Sequence, residues 1–377
     1  MTTTDIIAPD HPGTFIVEEL EARGWAKSDL AYILGTDPAD LSRILNGKVG
    51  ISAKMANALA DTFDIPAEFF VNLQRLYDLG RAEKADAGVK TRAHWSAHFP
   101  IREMLNRGWI EESESSLLHL QMLRFFNKSR VEDIPFIGSG QIVAHAARKS
   151  DYDSMTQIQY IWLNRVIKVA EQMTCPAYSK ERLEAELPNI RAHMLDIHDL
   201  HLIPEILRSC GVRLVFVEAF AGSKIDGVCV WIGDQPVIGM SLRLDKFDNF
   251  CFTLRHECEH IIQEHGKEAG FMPVDEFDGD RSDIAEEELA ADSAAQEFLI
   301  PRAALNSFIA RKAPYFSERD MLAFSARMQI HPAIVVGQIQ HATQKWNWLT
   351  KHIKKVRTEL ATWGFSDGWG KSLPTGL

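Results

Sequence analysis

Residues 256 to 260 read His-Glu-Cys-Glu-His. On a helix, His256 and His260 share one face a turn apart and can grip a single metal ion. Glu257, about 100° round the axis, can reach a water beside that ion. Two neutral imidazoles and a carboxylate base are what metal-assisted hydrolysis of a peptide bond requires. With 14 His in 377 residues, chance supplies the pattern in roughly 4% of chains this long, so its surroundings must decide. A catalytic zinc site takes three protein ligands and keeps one position open. The stretch Glu286-Glu-Glu-Leu-Ala-Ala-Asp-Ser-Ala-Ala-Gln-Glu-Phe-Leu-Ile-Pro301 offers the third. Glu288 and Asp292 share a helix face with Ala291 and Ala295, whose small side chains allow a second helix to lie close. Glu288 is the expected ligand, with Glu287 the alternative, and Asp292 the expected acceptor for the remote nitrogen of a liganding histidine. Glu286 reads as a carboxylate favoured by the helix dipole. Imidazole and carboxylate donors favour Zn2+, with Mn2+ or another divalent ion as alternatives. Cys258 falls about 200° from His256, in register with Cys251, Leu254, Ile261 and Ile262, and is read as a core residue. Tyr315, His265 and Arg243 are the candidates for stabilising an oxyanion.

Several elements must hold these groups. The spacing predicts a helix opening near Asp248-Asn249 and running to His265-Gly266, a loop over 266 to 282, and a second helix from Asp283 to Ile300 closed by Pro301. Upstream, Val212–Phe220, Gly227–Ile232 and Pro236–Leu242 are short, rich in Val, Ile and aromatics, and separated by glycine-containing turns, which predicts a small sheet. From His94 to Cys210 the pattern is helical, near 100–107, 111–126, 140–148, 154–174, 179–196 and 199–210. Its aromatics read as core. His94 with His98, and His198 with His201, lack a third ligand and are assigned no metal site. At the other end of the chain, two amphipathic segments broken at Gly24, a third helix from Pro38 to Leu45 stopped by Asn46-Gly47, and helices over 52–63 and 66–79 form a helix-turn-helix pattern. Residues 80 to 93 are charged and poor in large apolar groups, marking a boundary.

The chain has room for two or three domains. It shows no basic segment followed by an apolar core and no run of about 18 apolar residues, so a cytoplasmic location without membrane association is expected. Five cysteines without a CxxC pair fit a reducing compartment. A net charge of −11 argues against a protein that coats nucleic acid generally, while leaving room for a local basic patch.

Residues 11 to 79 resemble the Xre-type helix-turn-helix domain of HigA-type antitoxins. The resemblance rests on His11-Pro12-Gly13, Leu30-Ala31, Leu41-Ser42-Arg43-Ile44-Leu45-Asn46-Gly47 and Phe69-Phe70-Val71-Asn72-Leu73-Gln74. It implies DNA binding, with Thr36, Asp37, Ala39, Asp40, Ser42 and Arg43 toward the major groove. Thr36 and Ser42 are then candidates for base edges, and Lys27, Arg43 and Lys48 for phosphates. Two of the groove-facing residues are acidic, and residues 1 to 80 hold 6 Lys plus Arg against 12 Asp plus Glu; a helical bundle kept for dimerisation or partner docking is the competing reading. A homodimer is expected by analogy with half-site readers, and a toxin partner is a further candidate. Residues 200 to 301 resemble the ImmA/IrrE family of metallopeptidases through Asp226-Gly227, Phe252-Thr253-Leu254-Arg255-His256-Glu257, His260-Ile261-Ile262, and Ala291-Asp292 leading to Ile300-Pro301. Family members often carry glutamate where this chain has Ala290. Residues 323 to 341 resemble the helical end of long members.

The expected fold is mainly α with a small β-sheet (α+β). Its parts are an N-terminal five-helix bundle (1–80), a linker (81–93), a helical middle region (94–200), a zincin-like domain (201–310) and a helical C-terminal region (311–377). The resemblances imply a regulator with a zinc-dependent endopeptidase domain that cleaves a repressor-like or antitoxin-like protein in response to stress or phage. The alternative is a HigA-like antitoxin or transcriptional repressor that binds DNA and a partner without proteolysis.

Overall fold

The structure, a computed structural model, describes residues 10–83, 86–111, 115–137, 155–267, 274–276 and 286–374. Two units divide the chain, Met1–Asp86 and Ala87–Leu377.

The first unit contains helices α1 (Pro12–Arg23), α2 (Lys27–Leu34), α3 (Pro38–Leu45), α4 (Ala53–Phe63) and α5 (Ala67–Arg81). Local chemistry sets their ends. His11 Nδ1 accepts from Gly13 N at 2.9 Å ahead of α1, and Gly24 and Gly35 take left-handed φ of 66° and 60° to stop α1 and α2. Gly13 is required sterically: a Cβ there would stand 2.4 Å from the Leu45 carbonyl oxygen, so only glycine lets α1 press on the end of α3. Ile16, Leu20, Leu30, Leu41, Ile44, Leu59, Phe63 and Phe70 close the core.

In the second unit, α6 (Ala87–His98), α7 (Ile101–Asn106), α8 (Ser115–Phe125), α9 (Gln157–Ala170), α10 (Lys180–His193) and α11 (Ile203–Ser209) precede strands β1 (Arg213–Val217), β2 (Ile225–Ile232) and β3 (Gln235–Met240). Then come α12 (Phe247–Ile262), β4 (Val274–Glu276), α13 (Glu286–Leu299), α14 (Arg302–Lys312), α15 (Glu318–Met328), α16 (Pro332–Thr343), α17 (Arg357–Leu360) and β5 (Ser366–Asp367). The mixed sheet has the order β4-β2-β3-β1-β5. β1 pairs in parallel with β3 and β5, while β2 pairs antiparallel with β3 and β4. The fold is thus mainly helical with a small sheet, as expected.

The strands are nearly continuously apolar because both faces are covered. Leu214, Phe216, Cys229, Ile238 and Met240 face one core together with Phe250, Leu254 and Cys258 of α12. Val215, Val217, Val228, Val230 and Val237 face a second, shared with Trp162 and Val166 of α9 and with Trp95 of α6. Gly239 sits where α9 crosses β3, since a Cβ there would lie 2.6 Å from Val166 Cγ1. The segments expected as a middle region, a zincin-like domain and a C-terminal region therefore share cores around one sheet. α6 starts inside the stretch expected as linker, β4 falls in the expected loop, and the helix expected over 140–148 lies outside the described residues.

Candidate metal centre and helix-turn-helix surface

α12 buries Phe247, Phe250, Cys251, Leu254, Cys258 and Ile261 against the sheet-side core, and this packing fixes its rotation. His256, Glu257 and His260, each 1% exposed, are carried on the remaining faces. α13 lies against α12 through the fully buried Ala291 and Ala295, the small residues that permit close approach. The result is convergence. His256 Nε2 and His260 Nε2 are 3.0 Å apart, His256 Nε2 is 3.2 Å from Glu288 Oε2, and His260 Nε2 is 3.4 Å from Glu288 Oε1. Tetrahedral zinc with ligand distances of roughly 2.0–2.1 Å separates its donors by about 3.3 Å. The three edges observed here match that span. Glu287 is exposed, so Glu288 is the glutamate that joins the histidines.

Both imidazoles are fixed from behind. Asp292 Oδ1 lies 3.1 Å from His256 Nδ1, and His265 Nδ1 lies 2.9 Å from His260 Nδ1. His265 reaches that place because the chain turns back at the end of α12: its backbone N–H donates to the His260 carbonyl at 2.9 Å, and its own carbonyl accepts from Trp231 Nε1 at 2.9 Å. Burial opposes charge on Glu288, yet hydrogen bonds from His256 and His260 outweigh it and hold the carboxyl well below the usual range. An ionised carboxylate facing two imidazole nitrogens is electrostatically suited to a divalent cation.

Glu257 packs against β2. A Cβ on Gly227 would stand 2.5 Å from Glu257 Oε1 and 2.6 Å from Thr253 Cγ2, which explains why glycine follows Asp226. Cys258 is 1% exposed in the core and burial pushes its thiol up to about 12, so it packs and does not ligate. The oxyanion candidates separate. Tyr315 is 87% exposed, Arg243 donates to both oxygens of Asp226 at 3.2 and 3.0 Å, and His265 serves His260. His265 carried no readable spacing, because its position depends on a turn beyond the helix end.

In the N-terminal unit, α2, the turn at Gly35 and α3 form the helix-turn-helix. Asp37 caps α3, accepting from Ala39 N at 2.7 Å. Lys27, Arg43 and Lys48 are exposed and Thr36 and Ser42 are half-buried. Arg43 stands 3.9 Å from Asp40, a loose pair at a surface.

Two modules of different kinds are thus joined in one chain, a helix-turn-helix bundle and an α+β unit with a His-His-Glu cluster. No family model matches the chain. Virulence-associated protein A' of Dichelobacter nodosus is 41% identical over 88 residues, which are 23% of this chain and 76% of that protein. An uncharacterized HTH-type transcriptional regulator of Haemophilus influenzae is 37% identical over 93 residues, 23% of this chain and 87% of that protein. Among solved structures, an addiction module antidote protein of a HigA family from Coxiella burnetii shares 31% identity at a TM-score of 0.19, covering 25% of this chain and 97% of its own. Antitoxin GraA shares 28% identity at a TM-score of 0.19, covering 28% of this chain and 99% of its own. Through its N-terminal quarter, the chain belongs to the family of helix-turn-helix regulators that the Haemophilus protein represents. These similarities do not reach the His-His-Glu cluster. Among the described residues, no helix is long and apolar enough to cross a membrane.

Proposed function

We propose that the protein is a DNA-binding regulator whose second unit is a zinc-dependent endopeptidase of the ImmA/IrrE type, acting on a repressor-like or antitoxin-like protein. The observation that carries the enzymatic half is the triangle of donors at 3.0, 3.2 and 3.4 Å formed by His256, His260 and Glu288, accompanied by a buried glutamate at the next position. His256, His260 and Glu288 hold the ion, which when bound supplies Lewis acidity toward a peptide carbonyl and toward water. Glu257 takes a proton from the attacking water at its carboxylate and returns it to the leaving amine. Asp292 and His265 keep the remote nitrogens of the two ligand imidazoles occupied, which leaves both Nε2 atoms turned toward Glu288. Packing of α12 and α13 shuts bulk water away from the histidines.

The test pairs metal analysis of the pure protein with the Glu257→Gln variant, incubated with candidate repressors. The variant retains stoichiometric Zn2+ and loses about 10²- to 10⁴-fold in cleavage rate. A variant that keeps both its metal and its biological effect would sink the peptidase reading.

A second reading has its own support. The Haemophilus relative is described as a transcriptional regulator and is matched over 87% of its length, so a DNA-binding repressor with a metal-stabilised but non-proteolytic second unit is the competing function. DNA binding through Lys27, Thr36, Ser42, Arg43 and Lys48 is common to both readings, as is the capacity to pair as a homodimer or with a toxin. Only proteolysis separates them.

A further inference from the structure

His260 meets Glu288 and His256 meets Asp292, so α12 and α13 run antiparallel. Toward the start of α12 and the end of α13 the two helices border a cleft of about 320 Å³, and α14 and α16 supply most of the remaining wall. That wall is mostly apolar, with Phe252, the buried Leu305 and the half-exposed ring of Trp346 in it. None of His256, His260 and Glu288 lines the cleft. Asp292 does, from behind His256, whose Nδ1 stands 3.1 Å from its Oδ1. The cleft is therefore separate from the face the three donors turn toward one another, yet it shares a carboxylate with the support of one of them.

The charges in the lining are unevenly engaged. Asp292 is taken up by His256, and Asp248 has one oxygen sealed off while burial pushes its carboxyl up, so neither acid offers the cleft a free negative charge. The two cations are open. Lys246 precedes α12 and Arg302 opens α14 directly after α13, so the antiparallel helices bring both to the end of the cleft away from the His-His-Glu cluster. Among the described residues, no carboxylate lies within ion-pair distance of either; Glu297 accepts only from the backbone N–H of Arg302, and Lys246 Nζ rests 6.0 Å from the centroid of the Trp346 ring. Elsewhere in the unit Arg243, Lys312 and Lys351 each have an acidic partner. An apolar enclosure with two uncommitted cations at one end is complementary to an apolar molecule that ends in an anion, and walls drawn from several elements suit a small molecule better than a chain segment.

We propose that this cleft is an effector site for a small apolar carboxylate, whose anion meets Lys246 and Arg302 and whose body lies along Phe252 and Leu305 toward Asp292. The Asp292 side chain is 27% exposed, and an apolar body beside it strips away water. A drier carboxylate holds the imidazole of His256 more strongly. Filling the cleft consequently raises the affinity of the cluster for a divalent cation, and a bound cation raises the affinity for the effector by the same factor.

Ligand-detected NMR titrations of the metal-free full-length protein with 4-phenylbutyrate, 4-phenylbutanamide and 4-phenylbutylamine, which share one body and differ in charge, test this. Each partly exposed cation contributes roughly threefold, so the carboxylate binds about tenfold more tightly than the amide, and the amine binds weakest. Replacing both Lys246→Gln and Arg302→Gln removes the preference, and Ala342→Trp, at an exposed position of the wall, blocks all three probes. Competition against a chromophoric chelator then shows Zn2+ bound about fivefold or more tightly when 4-phenylbutyrate is saturating. Failure of the carboxylate to bind, equal binding of carboxylate and amide, a preference that survives the double replacement, or binding undiminished in Ala342→Trp overturns the proposal. A Zn2+ affinity that 4-phenylbutyrate leaves unchanged or lowers overturns the effector role. Neither measurement involves hydrolysis, so both results stand apart from the peptidase reading.

Discussion

Replacing Asp292 by alanine removes the carboxylate 3.1 Å behind His256 Nδ1 while leaving all three metal donors in place. The Asp292 side chain is 27% exposed, so the metal-free fold should change by no more than the roughly 0.5 kcal/mol typical of surface substitutions. Metal affinity should change far more. Losing the group that orients a ligand imidazole costs roughly 10- to 100-fold in affinity, or about 1.4 to 2.7 kcal/mol. The structure also ranks two such losses. His256 is backed by a carboxylate and His260 by a neutral imidazole at 2.9 Å, and charge-assisted hydrogen bonds are about twice as strong as neutral ones. Asp292→Ala should therefore lie toward the 100-fold end and His265→Ala toward tenfold. Competition for Zn2+ against a chromophoric chelator measures both, on apo proteins first shown to share a urea midpoint. Wild-type affinity in Asp292→Ala, or a larger loss in His265→Ala, would refute the account of how the histidines are held.

Gly227→Ala places a methyl 2.5 Å from Glu257 Oε1 and 2.6 Å from Thr253 Cγ2; overpacking of this kind costs about 1–3 kcal/mol, readable as a lower urea midpoint, and hydrolysis should fall with Zn2+ still bound. Arg43→Ala and Lys48→Ala should each reduce the slope of log affinity for DNA against log salt by about 0.9 if each meets a phosphate; a wild-type slope near zero removes phosphate contact altogether. Burial pushes the thiols of Cys229 and Cys251 well up, and a raised pKa keeps the unreactive neutral form. Burial raises the Cys175 thiol as well, but Cys175 is partly exposed, so iodoacetamide at about pH 8 should label it first and reach Cys229 and Cys251 only after unfolding.

The His-His-Glu cluster is legible in the sequence because its residues obey helical spacing. His256 and His260 are four apart, Glu288 and Asp292 are four apart, and Ala291 and Ala295 mark the contact between helices. The helix-turn-helix unit was readable from its glycine stops. What escaped was set by contacts distant in sequence. Ser366–Asp367 is too short to show a period, yet it completes the sheet beside β1. Asp367 is a buried ion-pair partner of Arg165, about which no local pattern speaks. α9 was legible as a helix, but nothing in residues 157–170 says that it covers the second face of a sheet starting at Arg213. Residues 94–377 therefore lie in one unit, although the local patterns divide them into three regions.

The acidity of α3, which in the sequence counts against DNA binding, changes meaning with the position of each carboxylate. Asp37 does not face outward as a bare charge; its Oδ1 accepts from Ala39 N and holds the first turn of α3, where the dipole favours a carboxylate. Asp40 remains, 3.9 Å from Arg43 and exposed, so a phosphate approaching Arg43 competes with a weak, hydrated partner. The excess of acids in residues 1–80 is a sum over the whole unit, whereas a duplex meets one face. Lys27, Arg43 and Lys48 are exposed, and screening over about 10 Å at ordinary ionic strength leaves acids farther off little influence on a phosphate that meets one of them.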